Sequence, residues 1–459
     1  MKFVIHILLF LLLISCSKNI NEEFESIENF SPSSTENIET INSNFKIGNN
    51  FSNPFEHTFF SFELCEDLLS SDTKVSCVGG TKIIESIEFE AGITSIEIVE
   101  DNLFLTLKSG YLVKYDPETK TKNVVLDISD KVITESIEMG LLSFDINDLD
   151  ENFVISYVDK ENFLNFEKFV FKNQIENIQS SEVLLKIKNE SNIHYSGKVF
   201  WSDKFQCYLV SVGDMHFANF ESRINPKPLD TSKLEGKIFG LDCNNIFSNK
   251  VKITPNGENQ IENLIAFGLR SPWQFLIFED FLIVFDTGFS QNEELNIVKL
   301  NEYPIFFGWP VFEGTKRSED LDSIENYESY FNLSIWENDT INELFDYVYS
   351  FQESPVFYYN HFACENDENK NCDSVSNVYR AAIIGGDILN NALSEYNFDI
   401  FFADHLSQEL FSFNLIERNL KIFPLNDFMN INIVKVFDDN KNIIMAGTND
   451  GKLYFVKLP

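Results

Sequence analysis

The sequence predicts an all-β chain of strand meanders set around a common axis. Three observations predict it. First, from Ile84 onward short apolar runs of strand length alternate with turn residues, and helical periodicity is scarce. The clearest unit has strands at Ile96–Val99, Leu103–Leu107 and Tyr111–Tyr115, turns at Asp101-Asn102 and Ser109-Gly110, and Asp116-Pro117 closing the group. Second, the cadence returns. It is seen at Leu141–Asp145, Phe153–Tyr157 and Phe163–Phe171, and again from Ile433 to Leu458, where Thr448-Asn449-Asp450-Gly451 is a hairpin turn tolerant of positive φ. Third, the strand-rich part runs to roughly 375 residues, long for one ordinary core. A radial repeat escapes that limit because each unit packs only on its neighbours.

The N-terminus reads differently. Met1-Lys2-Phe3 carries one positive charge and leads into an apolar run from Val4 to Ile14, interrupted by His6. That run is too short to span a bilayer as a helix and fits a signal-peptide core. Leu13-Ile14-Ser15-Cys16 has the form of a bacterial lipobox, which makes residues 1–16 a lipoprotein signal and Cys16 the lipidated residue. The alternative is a plain secretory signal with a chance cysteine. Diacylation plus a third acyl chain gives durable attachment to a membrane. Ser17 after the cysteine points to outer-membrane sorting, with the chain in the cell envelope facing the periplasm or the exterior. Residues 17–50 are polar, acidic and rich in Ser and Asn, and read as a flexible tether ahead of a folded domain over 51–459.

A net charge of −37 excludes nonspecific nucleic-acid binding and disfavours an anionic membrane surface as partner beyond the lipid anchor. Setting Cys16 aside leaves six cysteines, an even number suited to an oxidising compartment. The simplest of the fifteen pairings joins Cys65 to Cys77, Cys364 to Cys372 and Cys207 to Cys243. There is no CxxC, GxGxxG after a strand, GxSxG, HExxH, P-loop or EF-hand series.

The most informative stretch is Asn263 to Gly314: NLIAFGLRSPWQFLIF, then FDTGFSQNEELNIVKL, then FFGWPVFEG. Other segments keep company with it in order along the chain. They are Glu138-Met-Gly-Leu-Leu before Asn152–Tyr157, His194-Tyr-Ser-Gly-Lys198 before Tyr208–Asp214, Leu234–Phe239, and Gly385-Gly-Asp387 before Phe398–Asp404. Together they resemble the glucose/sorbosone dehydrogenase family, whose patterns are ExGLLGLAF, HxSGR with YYTIGD, GKILRI, GLRNP, EIN and NYGWP. The resemblance covers about Ile84 to Leu458. It implies a six-bladed β-propeller that oxidises a sugar, an aldose at C1, with pyrroloquinoline quinone and calcium, passing electrons to an acceptor that the sequence does not name.

Residue by residue, the resemblance makes His194 the general base for the anomeric hydroxyl, a task imidazole suits because its pKa lies near neutrality. It makes Arg270 the group that stabilises the reduced cofactor, with a guanidinium fork matched to quinone oxygens or a carboxylate. Ser271 stands where the family has Asn, beside the cofactor. Glu138 falls near the same pocket, against the plainer reading of a solvated carboxylate before a strand. Gly288 and Phe289 match the turn whose carbonyls hold a catalytic calcium. Glu294 and the carbonyl of Phe307 match a second calcium site, against the plainer reading of an acidic turn.

The departures favour other functions. The cofactor carries three carboxylates, which family members hold with Lys and Arg from the last two blades. Here Ala403–Ser407 has no lysine, with His405 as a second base or a replacement aromatic, and Ile431–Asp439 has Lys435 alone. Lys198, Lys237 or Arg380 would have to substitute, since burying carboxylates without cations costs several kcal/mol each. A non-catalytic propeller that binds a carbohydrate or protein is the alternative, and a lactonase-like hydrolase with calcium and His194 is a third. The insertion from Glu319 to Ser350 reads as loops or short helices over one face.

Overall fold

The computed structural model describes residues 74–216, 227–243, 261, 263–289, 292–301, 304–317, 352–360, 380–389, 398–423, 430–438 and 441–459. Cys16, the tether, residues 51–73, Cys65, Cys364, Cys372 and the 319–350 insertion lie outside them. No described helix is long and apolar enough to cross a membrane.

The chain enters with β1 (Lys74–Cys77) and β2 (Lys82–Glu88), which belong to sheets completed at the other end of the sequence. Blade 1 is β3 (Ile93–Val99), β4 (Asn102–Leu107), β5 (Tyr111–Asp116) and β6 (Thr121–Asp127). Blade 2 is β7 (Leu141–Asn147), β8 (Asn152–Val158), β9 (Phe163–Lys172) and β10 (Gln174–Lys188). Blade 3 is β11 (Ser196–Ser202), β12 (Cys207–Val212), β13 (Lys237–Leu241) and β14 (Leu264–Phe267). Blade 4 begins with β15 (Pro272–Phe278), β16 (Phe281–Asp286) and β17 (Asn292–Lys299). Short β18 (Ile305–Phe306) then runs parallel to β14, and β19 (Phe312–Glu313) pairs with β20 (Lys316–Arg317) before β21 (Phe357–Asn360) completes blade 4. Blade 5 is β22 (Ile383–Leu389), β23 (Asp399–Asp404), β24 (Leu410–Asn414) and β25 (Asn419–Phe423). Blade 6 is β26 (Ile431–Asp438), β27 (Ile443–Thr448) and β28 (Lys452–Lys457), with β2 added antiparallel to β28. The six-bladed all-β propeller expected from the resemblance is the fold observed.

The first strands of the blades, β3, β7, β11, β15, β22 and β26, each pack beside the next, and β26 returns to β3. They line the axis. One apolar cluster fills each space between neighbouring blades. Between blades 6 and 1, for example, Ile433, Met445 and Phe455 meet Leu103, Leu105 and Tyr115. The N-terminal strands stitch the ring shut: β2 completes blade 6, and β1 runs parallel to β25 on blade 5. In blade 3 a disulfide joins Cys207 to Cys243, the one expected pair whose two cysteines both fall among residues with described side chains.

Charge fills part of the axis. Glu97 on β3 accepts from Lys198 on β11 at 2.9 Å and from Lys435 on β26 at 2.9 Å. Lys435 also faces Asp387 on β22 at 3.7 Å. Asp145 on β7 joins the cluster, its carboxyl pushed up to about 7 by burial and by Glu97. One glutamate therefore links the inner strands of blades 1, 3 and 6. Replacing it by Glu97→Gln leaves two largely buried ammonium groups without their shared carboxylate. We expect urea unfolding to show a loss of about 3 kcal/mol; a loss indistinguishable from zero would mean that the cluster does not hold the ring.

Candidate active site

Glu138, His194 and Arg270 each stand just before the first strand of a blade, β7, β11 and β15. All three therefore reach the same mouth of the channel. The local backbone makes this placement specific. His194 has φ of 53°, a left-handed conformation unusual for a residue with a side chain. Its loop is pinned by Asn189, whose side chain accepts from the amides of Ser191 and Asn192 and donates to the carbonyl of Ile193. Across from it, a Cβ on Gly213 would stand 2.1 Å from the His194 carbonyl oxygen. Only glycine lets the Val-Gly-Asp strand end pass this close, and that passage sets Asp214 against the imidazole.

The His194 ring is held at both nitrogens. Nδ1 lies 2.7 Å from Asp214 Oδ1, and Nε2 lies 3.0 Å from a terminal guanidinium nitrogen of Arg270. A guanidinium can only donate, so Nε2 accepts and the ring proton sits on Nδ1, donated to Asp214. Asp214 is itself tightly held. Its Oδ1 also accepts from the His216 amide at 3.1 Å, its Oδ2 accepts from Trp309 Nε1 at 3.1 Å, and its amide donates to the Arg270 carbonyl at 2.6 Å. Burial would raise the Asp214 carboxyl, but His194 and then Arg270 outweigh it and hold it below the usual carboxylate range.

Arg270 is positioned as firmly. Its other terminal nitrogen donates to the Thr287 carbonyl at 3.0 Å, and its guanidinium lies 5.3 Å from the Phe289 ring centroid and 5.8 Å from that of Trp309. The turn that carries it is capped by Asp286, which accepts from the Arg270 amide at 3.0 Å and the Ser271 amide at 2.7 Å. Ser271 thus enters the site through its backbone. Burial pushes the Asp286 carboxyl up to about 7, with Asp214 adding to the rise and the two amides and Arg270 opposing it. Glu138 reaches the neighbour of the base, accepting from the Tyr195 amide at 3.3 Å.

Of the residues expected to hold calcium, Gly288 and Phe289 form the turn that follows Asp286, and Glu294 lies beside it, paired with Asp286. The Gly288 amide donates to Glu293 at 3.3 Å and the Phe289 amide to Glu313 at 2.8 Å. Glu294 accepts from the Gly314 amide and from Asn296, and its carboxyl is pushed up to about 8 by burial and by nearby Asp286. Phe307 is buried and donates its amide to the Phe267 carbonyl at 3.0 Å. Among the described residues no three His, Cys, Asp or Glu side chains converge as a metal cluster. A cation here would rest on Glu294 and backbone carbonyls. That oxygen donor set, crowded with carboxylates, has the chemistry a hard divalent cation takes.

Pyrroloquinoline quinone fits less well. Lys198 and Lys435 are engaged by Glu97, and Lys237 donates to the carbonyls of Lys227, Pro228 and Glu235. Arg380 forms a two-pronged pair with Glu409 at 2.7 and 3.0 Å. His405 donates Nδ1 to the Ile431 carbonyl at 2.9 Å, and burial keeps its pKa below the ordinary value. The three substitutes expected from the sequence are therefore engaged elsewhere. The residues described around the mouth do not provide the carboxylate clamp this cofactor needs.

Sequence reasoning assigned no role to Asp214, Trp309 or Asp286, although all three stand inside motifs that had been matched. What signal there was lay in the motif, where Asp214 ends the Tyr208–Asp214 segment that follows the His194 segment along the chain. Changing Asp214→Asn removes the charge that holds the proton on Nδ1. In proton–nitrogen correlation spectra of the imidazole, the His194 Nδ1-bound proton of the parent chain should then shift or vanish; an unchanged signal would contradict the assigned tautomer.

No known family matches the sequence, and no curated protein matches it. Among solved structures, the chain is similar to the apo-form soluble aldose sugar dehydrogenase of Escherichia coli. The identity is 15%, the TM-score 0.57, and the match covers 83% of this chain and 99% of that one. A glucose dehydrogenase matches at 14% identity and TM-score 0.55, with the same coverage. A structure from Thermus thermophilus described as a putative oxidoreductase (glucose dehydrogenase) matches at 13% and 0.56, again over 83% and 99%. These likenesses establish a shared fold, that of the propellers found in sugar dehydrogenases.

Proposed function

We propose that the chain is a sugar-oxidising protein of the aldose dehydrogenase kind, acting at C1 of an aldose. The observation that carries this reading is the His194 ring fixed between Asp214 and Arg270 at the channel mouth. In this reading the anomeric hydroxyl donates to His194 Nε2, in place of or beside the Arg270 contact. Asp214 keeps the ring in the tautomer whose Nε2 carries the lone pair, which accepts from Arg270 until the hydroxyl arrives, and stabilises the imidazolium that forms. Arg270 holds negative charge that develops next to the ring, and the Phe289 and Trp309 rings flank it.

The hydride leaving C1 needs a two-electron acceptor. Pyrroloquinoline quinone with calcium is the one the family resemblance implies; the catalytic calcium would rest on the carbonyls of Gly288 and Phe289, and a second calcium on Glu294 and the carbonyl of Phe307. No step is assigned to the quinone, because the cations that would clamp it are engaged elsewhere. That same observation favours the second reading, a propeller that binds a carbohydrate without oxidising it. In either case the lipobox at Cys16 argues for action in the cell envelope, on the membrane through a lipid anchor.

The test supplies the purified protein with pyrroloquinoline quinone, calcium and a panel of aldoses, and follows both dye reduction and sugar binding. Aldose-dependent dye reduction, lowered about 10²–10⁴-fold in His194→Gln, is the expected result. Sugar binding without dye reduction would replace the first reading by the second, and neither signal would defeat both.

A further inference from the structure

Lys237 is fully buried at the start of β13 and, among the described residues, faces no carboxylate at hydrogen-bond distance. Its ammonium instead donates to three backbone carbonyls, those of Lys227 at 3.0 Å, Pro228 at 2.9 Å and Glu235 at 2.6 Å. The loop it gathers reaches two segments of the site. The Pro228 carbonyl also accepts from the Gly268 amide at 3.0 Å. The Gly236 amide donates to the Gly213 carbonyl at 3.0 Å, and the Gly236 carbonyl accepts from the Leu269 amide at 3.3 Å. Gly213 precedes Asp214, and Leu269 precedes Arg270. Gly268 in turn accepts at its carbonyl from the Trp309 amide at 2.9 Å, so the donor to Asp214 Oδ2 rides on the same support.

The fit at Gly236 is close. Its φ is 69°, and a Cβ there would stand 2.5 Å from the Leu269 carbonyl oxygen and 2.7 Å from the Pro228 ring. The loop from 227 to 236 is therefore wedged against both strand ends, with Lys237 drawing it inward.

We propose that Lys237 is a positioning residue of the site, its ammonium fixing the loop that sets Asp214, Arg270 and Trp309 around the His194 ring. The proposal rests on the reading of His194 as the base, but not on any sugar being oxidised. An amine that must offer three donors is needed in its charged form. Burial lowers its pKa to about 7, with Glu235 and Asp230 opposing the drop. The charged side chains that face it come from its own loop, Glu235 and Asp230 together with Lys227, which pairs with Glu235.

The experiment reads the His194 imidazole in nitrogen-15 labelled protein, with the signal assigned by its absence in His194→Gln. Lys237→Met removes all three donors, and Lys237→Gln restores part of them. We expect the Nδ1-bound proton of His194 to shift or broaden away in the methionine variant and to return in part in the glutamine variant, both folded by circular dichroism. A folded methionine variant with the parent His194 signal overturns the proposal. If neither variant folds, the parent chain decides. Protection of the Asp214 and Gly268 amides, corrected for intrinsic exchange, should fall as Lys237 titrates in carbon-13 labelled lysine; protection that ignores this titration overturns the proposal. Absence of sugar turnover in the parent would defeat the functional reading alone and leave the imidazole readout intact.

Discussion

The closed ring is the constraint on which the rest of the structure depends. A blade buries its faces only against two neighbours, so no blade is stable at a free end. The chain meets this by lending its first described strands to its last sheets: β2 completes blade 6, and β1 extends blade 5. Once closed, the ring places the starts of six inner strands around one opening. Glu138, His194 and Arg270 are far apart in sequence and neighbours in space for that reason. The ring explains why they meet; the local turns explain how precisely.

Charge is arranged in the same economical way. In a chain of net charge −37, buried carboxylates are numerous, and burial raises Asp145, Asp286, Glu294 and Asp404 above the ordinary range. Asp214 goes the other way because His194 and Arg270 face it. Among the described residues Glu97 is also held, against burial, below its ordinary value by the two lysines it links. Asp214 differs in being held so beside a histidine at the channel mouth, which marks a candidate site. Most buried cations of the inner strands serve the structure instead, as Lys198 and Lys435 do with Glu97.

Much of this was legible in the sequence. The strand cadence located the meanders at β3 to β5 and β26 to β28 to within about three residues, because turn residues such as Ser109-Gly110 and Asn449-Asp450-Gly451 punctuate them. The blade number was not legible from periodicity, since the repeats share shape and not sequence; it came from family motifs. His194 and Arg270 were named from motifs, and the fold brings them into contact. Asp214, Trp309 and the cap by Asp286 were missed because their roles depend on contacts between strand ends and loops distant in sequence, which spacing along one strand does not encode. Asp214 meets His194 in blade 3, Asp286 meets Arg270 in blade 4, and Trp309 meets Asp214. Whether any cation could serve as an anion clamp was not legible for a related reason. Lys198, Lys237 and Arg380 look unattached in sequence, and each finds its acceptors from residues on a separate strand or loop.

The central claim is that a sugar hydroxyl docks against His194 Nε2. The most direct measurement is a crystal structure of the protein with a bound aldose. The account predicts the anomeric oxygen within about 2.6–3.2 Å of Nε2, with the Nδ1 contact to Asp214 preserved. A sugar seated away from His194, with the ring still closed on Arg270, would contradict it.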